Sequence, residues 1–80
     1  MASTVLRLPA VQAMCGLSRS TIYARIQEGT FPSTISLGAR AVGWVESEIA
    51  ALNAARISGM SNNQIRELVT KLVSDRKLAK

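Results

Sequence analysis

Gly16-Leu17-Ser18-Arg19-Ser20-Thr21-Ile22-Tyr23-Ala24-Arg25-Ile26-Gln27-Glu28-Gly29 carries a start signal, a stop signal and two unlike faces. The Ser18 hydroxyl can accept from the free N–H groups of a first helical turn, and Gly29 can take the left-handed conformation that ends a helix. Together they bound a helix from Arg19 to Glu28. At about 100° per residue, Ile22 and Ile26 share one stripe, whereas Ser20, Tyr23, Ala24 and Gln27 gather on the opposite side. Upstream, Pro9 suits the first turn of a short helix that turns Val11, Met14 and Cys15 inward and stops at Gly16. Leu17, in the turn, packs between the two helices. The expectation is a helix-turn-helix whose second helix has a core side and a polar side free to touch something.

Downstream, Phe31-Pro32 forces an extended turn, after which Ile35 and Leu37, then Val42 and Trp44, alternate as in strands. Gly38-Ala39-Arg40-Ala41 lies between them. Pairing Leu37 with Val42 sets Ile35 opposite Trp44 and puts all four on one apolar face. Arg40 then stands at the hairpin tip and Trp44 at its root, with Trp44 and Phe31 in the core. A hairpin in this position is a wing. Ahead of the first helix, Val5, Leu6 and Leu8 make a short strand or a packed lead-in.

From Val45 the pattern is helical again, with Val45, Ile49, Leu52 and Ile57 directed inward and Glu46 and Glu48 near the positive end of the helix dipole. Ser-Gly-Met-Ser at 58–61 reads as a linker. Beyond it, Ser61-Asn62-Asn63-Gln64 forms a capping box, followed by Ile65, Leu68, Val69, Leu72 and Val73 at helical spacing over 62–77. Glu67 and Lys71 are placed for an i,i+4 pair on the wet face. The expected fold is mainly α with a small β-hairpin: a winged helix-turn-helix over 1–58 and an amphipathic helix over 59–80. That last helix is expected to pack partly on the third helix and partly, through Ile65, Leu68, Val69, Leu72 and Val73, against a second subunit.

Eighty residues, 48% of them hydrophobic and 19% charged, make one small domain near the lower limit of a self-sufficient core, so dimerisation is expected. Ten basic residues against five acidic ones give a net charge of +5, which favours an anionic partner and nucleic acid first. With no His, Ser-His and Cys-His nucleophile pairs are impossible, and the single Cys15 can neither build a zinc site nor close an intrachain disulfide. Glu46 and Glu48 diverge by about 200° on a helix and form no facing acid–base pair. There is no GxxxxGK[ST] phosphate loop. These absences point to a protein that binds rather than catalyses, with no cofactor, metal or small-molecule substrate. No apolar run approaches the roughly 18 residues of a membrane helix or forms a signal-peptide core, and a lone thiol on an apolar helix face suits the cytoplasm.

Several stretches resemble the AlpA-type phage regulatory proteins. They are Arg7-Leu8-Pro9; Gly16-Leu17-Ser18-Arg19-Ser20-Thr21-Ile22-Tyr23; the Gly29-x-Phe31-Pro32 break; and Ser36-Leu37-Gly38-x-Arg40-Ala41-Val42-Gly43-Trp44 with Glu-Ser-Glu-Ile after it. The resemblance covers residues 7–57. It implies a winged helix-turn-helix related to the MerR and excisionase DNA-binding domains, in a regulator encoded by prophages and other integrated elements. Such proteins act on transcription, often of integration and excision genes, and some relatives are directionality factors. The resemblance puts contacts to double-stranded DNA on Arg19, Ser20, Tyr23 and Arg40. Residue chemistry adds Arg25 as a phosphate anchor, and Ser18, Thr21 and Gln27 complete the expected DNA-facing set, although the cap alone accounts for Ser18. Two other binding roles stay open: the DNA-recognition small subunit of a phage packaging terminase, and an antitoxin-like protein whose 62–77 helix grips a partner. Location follows from the same reading, a bacterial cytoplasmic protein held on the nucleoid.

Overall fold

The computed structural model describes residues 4–78. It orders them as β1 (Val5–Leu6), α1 (Leu8–Cys15), α2 (Arg19–Glu28), β2 (Ile35–Gly38), β3 (Ala41–Val45), α3 (Glu46–Ile57) and α4 (Asn62–Leu78). Helix α1 has Pro9 in its first turn and ends on Gly16 at φ 67°. Helix α2 opens on extended Ser18, whose Oγ accepts the Thr21 N–H at 3.3 Å. It closes on Gly29 at φ 84°, and the next N–H, that of Thr30, returns to the Arg25 carbonyl at 3.0 Å. A side chain there would meet the steric cost of the left-handed region, so glycine is the natural stop. The capping box of α4 is reciprocal: the Ser61 N–H donates to Gln64 Oε1 at 2.9 Å and the Gln64 N–H to Ser61 Oγ at 3.3 Å.

The strands form an antiparallel sheet in the order β1-β3-β2. The lead-in is a strand, with Val5 opposite Val45 and Leu6 opposite Trp44. The hairpin register differs from the expected one. Ile35 faces Gly43, Ser36 faces Val42 and Gly38 faces Ala41, with an irregularity between Ser36 and Gly38. Leu37 is thus an extra residue, as in a β-bulge, and it breaks the two-residue alternation on which the expected pairing relied. Directly opposed residues share a face, so Ile35 lies on the Gly43 side and Trp44 on the other. The four residues expected on one apolar underside are therefore divided, and Leu37 and Val42 are 41% and 40% exposed.

Trp44, Phe31, Ile22, Ile49, Ile65 and Val11 form the centre of the core, joined by Leu52, Ala55 and Val69. Ile65 and Val69 of α4 are thus buried within the chain itself, while Leu68, Leu72 and Val73 are half-buried. Two residues expected inside stand out. Met14 is 39% exposed, and Ile57 is 87% exposed because it falls about 150° around α3 from the arc of Glu48, Ile49, Leu52 and Ala55. Glu67 and Lys71 are both exposed on α4 but do not come within ion-pair distance; among the described residues the ion pair is Arg76 with Glu48. No helix among the described residues is long and apolar enough to cross a membrane.

Candidate nucleic-acid interface

Helix α2 is held from behind at several points. Ile22 is fully buried, and Ile26 packs against the core beside it. At its C-terminus, the Arg66 Nε of α4 donates to the Glu28 carbonyl at 3.0 Å, placing a guanidinium at the negative end of the α2 dipole. Asn53 of α3 does the same for α1, its Nδ2 donating to the Met14 carbonyl at 3.1 Å. Both bonds satisfy helix-end carbonyls that have no partner within their own helix. The helix-turn-helix is therefore fastened to α3 and α4 as well as packed on them.

The outward side of α2 presents Ser20, Tyr23, Ala24 and Gln27, all exposed, as the helical spacing predicts. Arg19 is also exposed, and its guanidinium lies 5.7 Å from the centre of the Tyr23 ring. Tyr23 has a second contact: its ring meets that of Trp44 edge-on, centroids 6.3 Å apart at 63°. It thus belongs both to the polar face and to the joint between α2 and the hairpin root. Ser18 and Thr21 are engaged in the cap, with the Ser18 hydroxyl donating to Thr21 Oγ1 at 2.9 Å. No acidic residue occupies the first turn of α2, so the positive end of its dipole has no carboxylate of its own.

Arg25 is half-buried and lies on the α1 and α3 side of the helix, lining a groove with Cys15, Asn53 and Arg56. Arg40 stands exposed at the hairpin turn with φ 67°, the one non-glycine residue at positive φ among those described. Long side chains rarely take that conformation. Nothing in the hairpin's own geometry calls for arginine there. Among the described residues, no carboxylate lies within 4 Å of Arg19, Arg25 or Arg40. Arg19, Ser20, Tyr23 and Gln27 thus share one surface of α2, Arg40 is carried separately on the hairpin, Ser18 and Thr21 are occupied by the cap, and Arg25 turns to a groove.

No group of three or more His, Cys, Asp or Glu side chains is gathered to hold a metal among the described residues. Burial pushes the Cys15 thiol up from its ordinary value, outweighing the opposite pull of Arg25. The contributions of Arg66, Asn53 and Arg76 have no local signature in the sequence. Each acts on a residue 28 to 43 positions away, and neither periodicity nor a local motif encodes such a pairing.

Residues 4–57 match the family model described as Prophage CP4-57 regulatory protein (AlpA). The uncharacterized protein ORF88 of Enterobacteria phage P4 is 54% identical over 54 residues, which are 68% of this chain and 61% of that protein. The DNA-binding transcriptional activator AlpA of Escherichia coli strain K12 is 43% identical over 51 residues, covering 56% of this chain and 73% of that protein. The chain therefore spans less than two thirds of the P4 relative. No solved structure matches. The matched family segment ends on the last residue of α3, so α4 lies outside it.

Proposed function

The chain belongs to the AlpA family of prophage regulatory proteins, and on that premise we propose that it is a sequence-specific double-stranded DNA-binding regulator of transcription for a prophage or other integrated element. The observation that supports this most is the outer face of α2. A helix locked to the core on one side by Ile22 and Ile26 presents Ser20, Ala24 and Gln27 with Arg19 and Tyr23 alongside, and its positive end carries no acid of its own. In this reading α2 enters the major groove, where Arg19, Ser20 and Gln27 meet base edges. Ser18 and Thr21 set the first turn against the phosphates, and Arg40 anchors the wing on the backbone or in the adjoining minor groove. Arg25, turned toward its groove, is the member of the expected set with the weakest claim to DNA.

The role is binding without catalysis. Residues 1–58 act as the DNA-binding unit and 59–80 as its buttress. A single module of this size buries only about 600–1,000 Å² on DNA, so useful specificity comes from a homodimer or from cooperative copies on repeated sites. The half-buried Leu68, Leu72 and Val73 are the part of the α4 stripe left for contact between copies. The genes controlled are those of integration or excision, and the protein works on DNA in the bacterial cytoplasm. Nuclease protection on fragments of the element's own DNA tests the reading: short protected sites next to integrase or excision promoters support it. Uniform cutting at protein concentrations that coat DNA nonspecifically contradicts it.

A further inference from the structure

A cleft of about 390 Å³ opens between α1, α2 and the C-terminal part of α3, on the flank of α2 away from Tyr23. Its floor is apolar, with Leu17 and Leu52 among the lining residues, and Arg25 and Arg56 are the charged groups in its walls. No carboxylate lines it, and among the described residues neither guanidinium has a carboxylate within 4 Å. Arg56 donates Nη1 to Asn62 Oδ1 at 3.2 Å, but its Nε is buried with no hydrogen-bond acceptor. A buried N–H of a charged group without an acceptor is costly, and here it leaves the outer nitrogens of the guanidinium as the ones a ligand in the cleft could meet. At the rim, Ile57 is 87% exposed beside Met14 at 39%.

We propose that this groove docks a short segment of a partner protein in which a carboxylate sits beside an aliphatic side chain, the carboxylate between Arg25 and Arg56 and the aliphatic group against Met14 and Ile57. Charge complementarity requires the acid. The apolar rim decides between protein and DNA, since a phosphate backbone offers no surface that would cover Ile57. Arg25 lies about 100° around α2 from Ala24, so an occupant of the groove leaves Ser20, Ala24 and Gln27 open. A partner can thus be held while α2 engages DNA, which suits a regulator that works by recruiting a second protein.

The experiment is selection of a displayed random heptapeptide library on the full chain. Anisotropy of the best labelled peptide is then measured with wild type, Ile57→Ser and Arg56→Gln, and each protein is also titrated with a 30-base-pair duplex over a salt series. The expected result is enrichment of Asp or Glu next to Leu, Ile or Val. Ile57→Ser should weaken the peptide about tenfold, as loss of one buried aliphatic contact implies, with duplex binding unchanged. Ile57 is exposed in the free chain, so its replacement does not put folding at risk. Selected peptides without acidic enrichment, or an affinity indifferent to Ile57→Ser, would overturn the proposal. So would a log–log salt slope on the duplex that falls by about one in Arg56→Gln, because that slope makes Arg56 a phosphate contact.

Discussion

Arg76 of α4 grips Glu48 of α3 with two prongs, Nε on Oε2 at 2.8 Å and Nη2 on Oε1, and the same Nη2 donates to the Ser33 carbonyl at 2.9 Å. One guanidinium therefore ties the last helix to the third helix and to the segment that follows α2. The Glu48 side chain is only 6% exposed, against 21% for Arg76. Hydrogen bonding to Glu48 holds the Arg76 guanidinium still more firmly protonated than usual, against the opposing effect of burial. Glu48, which the sequence suggested only as a complement to the α3 dipole, is the buried half of this latch.

Removing Arg76 leaves a buried carboxylate without its cation. Arg76→Ala is expected to lower stability in urea melts by about 3 kcal/mol, near the low end for breaking a buried pair because Arg76 is partly exposed. The double variant Glu48→Leu with Arg76→Leu should recover most of that loss. A single variant within 0.5 kcal/mol of wild type would mean the pair contributes little, as exposed pairs do.

Gly43 is needed for want of space. A Cβ there would stand 2.7 Å from Val5 Cγ1 and 2.9 Å from both Leu37 Cδ1 and the Leu6 carbonyl oxygen. The leucine end can move, whereas the β1 backbone cannot without giving up its pairing to β3. Gly43→Ala should cost about 1–3 kcal/mol, as overpacking does. It should also speed hydrogen exchange at the amides that pair β1 with β3; protection equal to wild type would show that the sheet absorbs the methyl group.

Arg40 lets stability and binding be separated. With φ at 67°, replacement by glycine removes backbone strain, so Arg40→Gly should leave the fold intact and as stable as wild type or up to about 1 kcal/mol more so. Binding to every duplex should weaken alike, and the log–log salt slope should shrink by about one unit. Thermal melts and gel shifts over a salt series report the two halves independently. Unchanged affinity and slope would remove the wing from the DNA contact.

Cys15 gives a pH-dependent readout of packing. Since burial raises its thiol above the ordinary value, the thiolate fraction at any given pH is smaller than for a free cysteine. The alkylation rate with iodoacetamide should therefore rise at higher pH in the folded protein than in the protein unfolded in urea. Coincident profiles, or a folded profile displaced to lower pH by Arg25, would contradict this.

The helix-turn-helix was legible because its signals are local: Ser18 and Gly29 bracket α2, and Ile22 and Ile26 set its inner side. The capping box at Ser61 was legible for the same reason. The hairpin is legible in the sequence but its register is not, because the extra residue at Leu37 shifts the pairing while leaving the alternation of residue types untouched. Ile57 continues the apolar spacing past the end of the buried arc of α3, so pattern alone does not reveal its exposure. The destination of the α4 stripe depends on packing between distant segments, and much of it goes to the core through Ile65 and Val69. Among the candidate contacts, composition identified Arg25 as a cation but could not show that it turns into a groove.

DNA reading by α2 is tested most directly by sequencing the duplexes that the purified chain retains from a random pool, with wild type, Ser20→Ala and Gln27→Ala in parallel. Both residues are exposed on the outer face of α2, and neither takes part in the core. Wild type should return one motif, and each variant should lose preference at one or two positions of it while binding nonspecific duplex as before, a change of about 1–3 kcal/mol in discrimination per lost base contact. The same motif with the same preferences from all three proteins would contradict recognition by this face.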